Sequence, residues 1–130
     1  MSQEASDHDQ LRRLVADYCH LLDDRELETW LQLFTDDAVV RMGRTEFTGH
    51  DGVRQWIDAI LKATAEPGRH LCTNVALDVN GDRATGRCDF AYIAPGPSVV
   101  QVGRYDDEYR RVDGRWHIAV RRLSLLPPPS

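Results

Sequence analysis

The histidine at position 70 is the side chain in this sequence best suited to acid–base chemistry. It follows the Pro67-Gly68 break and opens a run of residues typical of a β-strand. Because side chains alternate across a strand, we expect His70, Cys72 and Asn74 on one face. A histidine titrates near neutral pH and can take a proton from a substrate, and Asn74 can bind a carbonyl or a water. A structural or surface histidine and an ordinary polar strand residue are the alternatives.

Several other kinds of chemistry lack the motifs that they need. The sequence contains no HExxH or His-x-His spacing for a metal, no glycine-rich phosphate-binding loop and no GxSxG nucleophile elbow. The three cysteines, Cys19, Cys72 and Cys88, are widely spaced and form no CxxC pair. We therefore expect reduced, buried thiols, no metal and no cofactor.

Composition narrows the class of protein. The chain has 130 residues, 42% of them hydrophobic and 28% charged, as is typical of one globular domain. Its net charge of -5 disfavours nucleic-acid and anionic-membrane partners, because both need a basic face. No apolar run approaches the ~20 residues of a membrane span, and the polar start MSQEASDHDQ lacks a secretory pattern, so we expect a cytoplasmic protein.

The elements that must position these residues begin with helices. After a flexible lead-in over residues 1–8, apolar residues at helical spacing predict a first helix from Asp9 to about residues 23–25. A short second helix follows, with an apolar stripe that ends at Phe34. Residues 38–42 and the glycines after them predict two short strands joined by a tight turn.

The second half of the chain is predicted to be mostly strand. Asp51 is expected to cap a third helix that closes at Pro67-Gly68. A meander of long antiparallel strands is then predicted at residues 70–79, 84–93, 99–112 and 115–125. This order indicates one α+β domain over residues 9–125, with helices covering one face of a curved sheet, and a proline-rich tail over 126–130.

Six short segments, taken in order, resemble SnoaL-like proteins of the NTF2-like superfamily. They are YCHLLDDRE at residues 18–26, LFTDDA at 33–38, GHDGV at 49–53, RHLCTN at 69–74, GRYDDEY at 103–109 and DGRW at 113–116. The resemblance spans residues 9–123. It implies a cone-shaped mixed sheet covered by the three helices, a deep apolar pocket, and pairing of the exposed sheet face into a homodimer or homotrimer.

The resemblance also implies roles for three side chains. In dehydratase-like members of the superfamily, the residue matching His70 is the general base, Asp23 matches its carboxylate partner, and Tyr18 matches a hydrogen-bond donor to the substrate oxygen. Such a carboxylate fixes the histidine tautomer and stabilises the imidazolium. The alternatives are a solvated helix-end aspartate and a core tyrosine. On an ideal helix, Tyr18 and Asp23 point about 140° apart, so they converge only if the helix loosens or if each lines a different wall.

Further pocket residues are expected among the aromatic side chains. Besides Asn74, the candidates for substrate binding are Trp56, Phe90, Tyr92 and Tyr105, with core packing as the alternative. The pairs Arg110-Arg111 and Arg121-Arg122 are expected on solvated faces or in subunit-interface ion pairs, and an acidic-substrate funnel is a third alternative. Scytalone-dehydratase-like members use a second histidine that residues 86–89 do not contain.

Three functions remain open at this stage. The leading hypothesis is a cofactor-independent dehydratase or isomerase that acts by general-base proton abstraction on an apolar hydroxy-carbonyl compound of polyketide, steroid or terpenoid type. The second is a non-catalytic ligand-binding or assembly domain. The third is the small subunit of a ring-hydroxylating dioxygenase. All three functions stay open because the fold alone does not decide among them.

Overall fold

The computed structural model describes residues 5–64, 67–96 and 98–126. This part of the chain contains three helices and six strands. The helices are α1 (Asp7–Asp23), α2 (Leu27–Leu31) and α3 (Gly49–Ala63). The strands are β1 (Phe34–Met42), β2 (Thr45–Thr48), β3 (Arg69–Asn80), β4 (Arg83–Ala94), β5 (Ser98–Val112) and β6 (Arg115–Leu125). Of the helices within these ranges, none has both the length and the apolar content of a membrane-spanning segment. The prolines of the predicted tail lie outside the described residues.

The strands form one mixed sheet in the order β2-β1-β6-β5-β4-β3. The β1–β6 pair is parallel and every other neighbouring pair is antiparallel. Gly43, Gly81 and Gly114 adopt positive φ angles of 62°, 63° and 78° in the three tight hairpin turns, a conformation that glycine reaches without strain. The sheet is curved and open, and helices from the first half of the chain cover it, which confirms the predicted α+β class.

Helix α1 supplies much of the core between the helices and the sheet. Its buried residues are Leu11, Leu14, Val15, Tyr18, Cys19 and Leu22. The helix starts two residues before the predicted Asp9, because the Ser6 hydroxyl accepts a hydrogen bond from the Asp9 amide and caps it. Asp7 therefore belongs to the helix and not to a lead-in, and its carboxylate accepts hydrogen bonds from Arg111 and Trp116.

Two of the predicted helix boundaries are wrong. Phe34, expected on the stripe of the second helix, is the first residue of β1, where its side chain is still buried. Asp51, expected as the N-cap of α3, lies inside the first turn, because the helix begins at Gly49 with Thr48 as its N-cap. The N-cap position and the first turn of a helix both favour an acidic residue, so the residue type of Asp51 does not distinguish between them.

Strand β3 carries a bulge that inverts the faces of its side chains. The register with β4 shifts around Asn74, which adopts a φ angle of 54°. His70 and Cys72 lie on the partly buried face before the bulge, and alternate residues from Val75 onward lie on that face after it. The prediction that Asn74 shares the face of His70 is therefore wrong: Asn74 is exposed and donates a hydrogen bond to the Asp89 carboxylate.

Candidate active site

Two hydrogen bonds join His70 to Asp23. The imidazole Nδ1 lies 2.6 Å from Oδ1 of Asp23, and the backbone N–H of His70 donates to Oδ2 at 2.9 Å. The two side chains are 11% and 5% exposed, so solvent screens the interaction little. The structure thus brings together the two residues that the sequence analysis paired, although their catalytic role stays a prediction.

The elements on each side fix this geometry. Asp23 is the last residue of α1, and the chain turns away directly after it because Arg25 adopts a left-handed φ angle of 61°. The backbone N–H and the guanidinium of Arg25 both donate hydrogen bonds to the Leu22 carbonyl at the helix end. His70 is the second residue of β3, an edge strand, where backbone amides that face outward have no strand partner. Asp23 binds one of these amides and so holds the helix end against the strand.

The arrangement determines which nitrogen of His70 can react. A carboxylate accepts hydrogen bonds, so Asp23 favours the tautomer in which Nδ1 carries the proton. The Nε2 atom then bears the lone pair that a general base needs. The ring also packs against Tyr92, with the two ring centroids 4.8 Å apart. In this tautomer, Nε2 is the ring nitrogen that can accept a proton, and Asp23 is the group placed to stabilise an imidazolium.

Tyr18 occupies a different wall of the interior from Asp23. Helix α1 is regular between the two residues, so their side chains diverge as the helical geometry predicts. The Tyr18 ring lies against Arg121, whose guanidinium carbon is 4.2 Å from the ring centroid, and makes an edge contact with Tyr105. Burial raises the pKa of Tyr18 to about 12, so its hydroxyl stays protonated and can act as a hydrogen-bond donor.

A buried ion pair between Arg121 and Asp107 is the polar centre of the interior. The guanidinium donates from Nε and Nη2 to the two carboxylate oxygens at 2.9 and 2.8 Å, and Tyr109 donates its hydroxyl to the same carboxylate at 2.7 Å. Both side chains of the ion pair are 0% exposed. Burial alone would lower the pKa of Arg121, but Asp107 raises it well above its ordinary value, and the charge is retained. The expectation that Arg121 lies on a solvated face or in a subunit interface is therefore wrong.

A change of register explains why the sequence analysis missed Arg121. The pairing of β5 with β6 shifts between Glu108 and Tyr109, so the buried face of β6 passes from Ile118 to Arg121 instead of to Val120. Simple alternation from Ile118 predicts that Arg121 points to solvent. The sequence did hold one signal that a charged residue faces the interior. Asp107 lies two residues from a tyrosine on either side, so it shares the face of those two tyrosines.

The aromatic candidates Trp56, Phe90, Tyr92 and Tyr105 are all buried. Three of them, Trp56, Phe90 and Tyr105, belong to one layer of ring contacts that reaches Arg121, and Tyr92 packs against His70 instead. Phe90 stacks on Tyr105 with centroids 4.4 Å apart, and Trp56 stacks on Trp30 at 6.4 Å. Burial raises the pKa of Tyr105 well above its ordinary value. These contacts fit both packing and ligand binding, and the enclosed apolar pocket stays a prediction.

Three hydrogen-bond donors in this layer are buried without an acceptor. They are Nε1 of Trp30, Nε1 of Trp56 and Nη1 of Arg121, within the part of the chain that the structure describes. Buried donors are nearly always satisfied in proteins, by protein atoms, by ordered water or by a bound group. An oxygen atom of water or of a bound molecule is the kind of acceptor that these donors suit.

Comparison with known proteins places the chain among similar folds. The sequence model of a family described as the SnoaL-like domain matches residues 3–122. An uncharacterised protein of Mycobacterium tuberculosis is 27% identical over 92% of this chain and 85% of its own length.

Solved structures give the same result. A protein of unknown function from M. tuberculosis is 30% identical with a TM-score of 0.81, covering 92% of this chain and 76% of that one. A Novosphingobium aromaticivorans protein, whose name assigns it to the scytalone dehydratases, is 23% identical with a TM-score of 0.78, covering 92% of this chain and 84% of that one. Further similar structures are described as NTF2-like or as having a cystatin-like fold.

Proposed function

We propose that this chain, which belongs to the SnoaL-like domain family, is a cofactor-independent dehydratase or isomerase. The observation that carries the proposal is the buried Asp23–His70 pair, with Nδ1 of the histidine 2.6 Å from the carboxylate. A histidine held in this way by a carboxylate is the usual construction of a general base at neutral pH. Asp23 contacts the imidazole of His70 through one carboxylate oxygen and accepts the backbone N–H of His70 with the other, so it fixes both the ring and the strand that carries it.

The proposed reaction begins with removal of a proton from a carbon next to a carbonyl group. His70 Nε2 takes the proton, and Asp23 stabilises the imidazolium that forms. The negative charge that develops on the carbonyl oxygen is stabilised by the protonated Tyr18 hydroxyl and by the guanidinium of Arg121. In a dehydration, the imidazolium returns its proton to a β-hydroxyl, which leaves as water. In an isomerisation, it returns the proton to another carbon.

The substrate that we propose is an apolar hydroxy-carbonyl compound of polyketide, steroid or terpenoid type. The support is the set of buried aromatic side chains of Trp56, Phe90, Tyr92 and Tyr105, which favours a flat hydrophobic ring system. The unpartnered donors on Trp30, Trp56 and Arg121 would bind its oxygen atoms. A similar structure that is named after scytalone dehydratase has the same fold.

Proton exchange in deuterium oxide tests this proposal without knowledge of the natural substrate. A panel of cyclic β-hydroxy-ketones is incubated with the protein, and exchange at the carbon next to the carbonyl and loss of water are followed by NMR. We expect His70→Asn to lower the exchange rate by roughly 10²–10⁴-fold, the usual contribution of a general base. His20→Asn, on the exposed face of α1, is the matched control. A folded His70→Asn protein that exchanges at the wild-type rate contradicts the proposal and favours a binding domain.

We also propose that two or three copies of the chain associate through the outer face of the sheet. This face carries a groove of about 530 Å³ whose apolar walls include Val39, Ala119 and Val120. Charged residues of both signs, among them Glu108 and Arg110, surround these walls. Sedimentation velocity tests the idea: Val120→Arg should shift an oligomer to monomer, and a wild-type monomer at micromolar concentration contradicts it.

A further inference from the structure

Three cysteine thiols converge beside the candidate active site. Cys19 belongs to α1, Cys72 to β3 and Cys88 to β4, and all three are free thiols. The sulfur atoms of Cys19 and Cys72 lie 3.5 Å apart, within hydrogen-bonding distance for thiols. Among the residues that the structure describes, no cluster of histidine, cysteine and acidic side chains is arranged to hold a metal ion. Redox chemistry of the thiols is therefore the reaction to consider.

The Cys19–Cys72 contact joins the same two elements as the Asp23–His70 pair. Asp23 follows Cys19 by four residues, one turn further along α1, and Cys72 follows His70 by two residues on the same face of β3. The end of α1 and the edge strand β3 therefore meet at two adjacent contacts, Cys19–Cys72 and Asp23–His70. A covalent bond between the two thiols would act directly on the distance between Asp23 and His70.

The two thiols differ in a way that suits a stepwise oxidation. Hydrogen bonding from Cys72 lowers the pKa of Cys19, and the positive charge of Arg121 acts in the same direction. The pKa of Cys72 is raised to about 12, chiefly by its interaction with Cys19. Since the thiolate is the reactive form, Cys19 is the better nucleophile of the two. Cys72 is the partly exposed member of the pair and Cys19 is buried.

We propose that Cys19 and Cys72 form a reversible disulfide when the protein meets a peroxide, and that this bond displaces Asp23 from His70. The Cys19 thiolate attacks one peroxide oxygen and becomes a sulfenic acid, and the other oxygen leaves as water after protonation. The Cys72 sulfur then attacks the sulfenic sulfur and expels a second water. In total, two thiols lose two electrons and two protons to one hydrogen peroxide, which yields one disulfide and two waters.

Closing the disulfide requires a definite movement. A disulfide bond is about 2.05 Å long, so the two sulfur atoms must approach by about 1.5 Å from their present separation. In this proposal, part of that approach comes from a shift of helix α1 relative to strand β3. A hydrogen bond of 2.6 Å between Asp23 and His70 weakens steeply when its geometry changes by a comparable amount. Oxidation therefore uncouples the pair, and reduction by a dithiol restores it.

Peptide mapping tests the disulfide itself and does not depend on the proposed catalytic function. Trypsin releases the three cysteines in separate peptides, residues 14–25, 70–83 and 88–104. After treatment with hydrogen peroxide and blocking with iodoacetamide, we expect the first two peptides to be linked, with a loss of about 2 Da. Cys88→Ala should leave this link unchanged, and Cys19→Ser and Cys72→Ser should each abolish it. A link to the third peptide, a link between chains, or three alkylated thiols in the wild-type protein overturns the proposal.

NMR of the histidine side chains tests the coupling to the site. We expect the imidazole signals of His70 to shift when the wild-type protein is oxidised and to return with dithiothreitol. The signals of His117, on a distant strand, are the internal control, and the Cys19→Ser protein should show no shift of His70 with peroxide. A disulfide that forms while the His70 signals stay unchanged overturns the second part of the proposal. Both readouts remain valid if the protein has no enzymatic activity.

Discussion

The interior of this protein holds two acid–base pairs with opposite properties. Asp107 and Arg121 lie on neighbouring strands in the middle of the sheet, and both side chains are 0% exposed. Asp23 and His70 lie where a helix end meets an edge strand, and both keep a little contact with solvent. In the first pair, the Asp107 carboxylate accepts three hydrogen bonds, two from Arg121 and one from Tyr109. In the second pair, Asp23 contacts only one of the two ring nitrogens of His70.

Under the proposed function, the central pair holds a fixed charge, whereas the edge pair moves a proton. An arginine does not lose its proton under ordinary conditions, so the central pair can only provide a fixed positive charge and a rigid anchor for the rings of Tyr18 and Tyr105. A histidine can act as a general base, so under the proposed function the pair at the edge takes part in the reaction. We therefore expect substitutions in the central pair to affect folding first, and substitutions in the edge pair to affect activity first.

The largest effect on stability should follow Asp107→Ala. This change leaves Arg121 charged and buried without a counter-ion, which typically costs about 3–5 kcal/mol. Urea denaturation should show this loss, or the protein should fail to fold. Glu108→Ala is the matched control, because the neighbouring Glu108 pairs with Arg122 on the surface, with both side chains 44% exposed. That control should cost at most about 1 kcal/mol.

A double substitution sharpens the same prediction. Replacing Asp107 by Leu together with Arg121 by Met removes both charges, so no ion is left unpaired in the interior. We expect the double variant to recover most of the stability that Asp107→Ala loses, as for other buried ion pairs. Equal stability of Asp107→Ala and Glu108→Ala contradicts the interpretation of the central pair as an anchor.

The largest effect on activity, after loss of His70 itself, should follow Asp23→Asn. The amide can donate to Nδ1 and so favours the tautomer with its proton on Nε2, which is wrong for a general base. Exchange of a β-hydroxy-ketone in deuterium oxide should fall by roughly 100-fold or more. Asp24→Asn, at the exposed neighbouring position, should exchange at the wild-type rate. If Asp23→Asn is fully active but unstable, then the edge pair is structural.

An intermediate effect is expected at high pH. The pKa of Tyr18 is about 12 in the folded protein, above its ordinary value of 10.0, because burial favours the neutral phenol. The native state therefore holds this proton more tightly than the unfolded chain, and the stabilisation is fully present below pH 10. It should be lost progressively as the pH rises from 10 to 12, and Tyr18→Phe should lose less stability across this range. Urea denaturation at a series of pH values measures how the free energy of unfolding depends on pH in the wild-type protein and in Tyr18→Phe.

The smallest effects should come from the bulge in β3. Asn74 has a positive φ angle, which a β-branched residue adopts only with strain, so Asn74→Val should cost at least about 1 kcal/mol. Asn74→Gly relieves the strain but loses the hydrogen bond to Asp89, and the change should stay within about 1 kcal/mol. Neither change should alter proton exchange, because Asn74 faces away from His70. A large loss of exchange in Asn74→Gly would restore this residue to the substrate site.

The elements of this fold were largely predictable from local sequence. Glycine turns at Gly81 and Gly114 marked the hairpins, and each long strand begins and ends within one residue of its predicted limits. The contact of Asp23 with His70 was not predictable from periodicity. It was expected only because the ordered motifs resemble a known family, since the two residues are 47 positions apart.

The two errors of face assignment share one physical cause. Asn74 and Arg121 were both assigned to the wrong face, and each lies at or just after a register shift in its strand. A single extra residue inverts every following side chain, and its position depends on how two strands fit together, which one strand's alternation does not encode. The meeting of three thiols was missed for a similar reason, because it joins a helix and two strands that are distant in the chain.

The parallel pairing of β1 with β6 has a consequence for how the chain is made. Strand β1 ends at Met42, and its partner is complete only at Leu125, so a ribosome needs on the order of ten seconds to supply the second strand after the first. During that interval, the apolar faces of α1 and β1 lack the surface that later covers them. Until the last strand is made, these apolar faces are a place where the growing chain can aggregate.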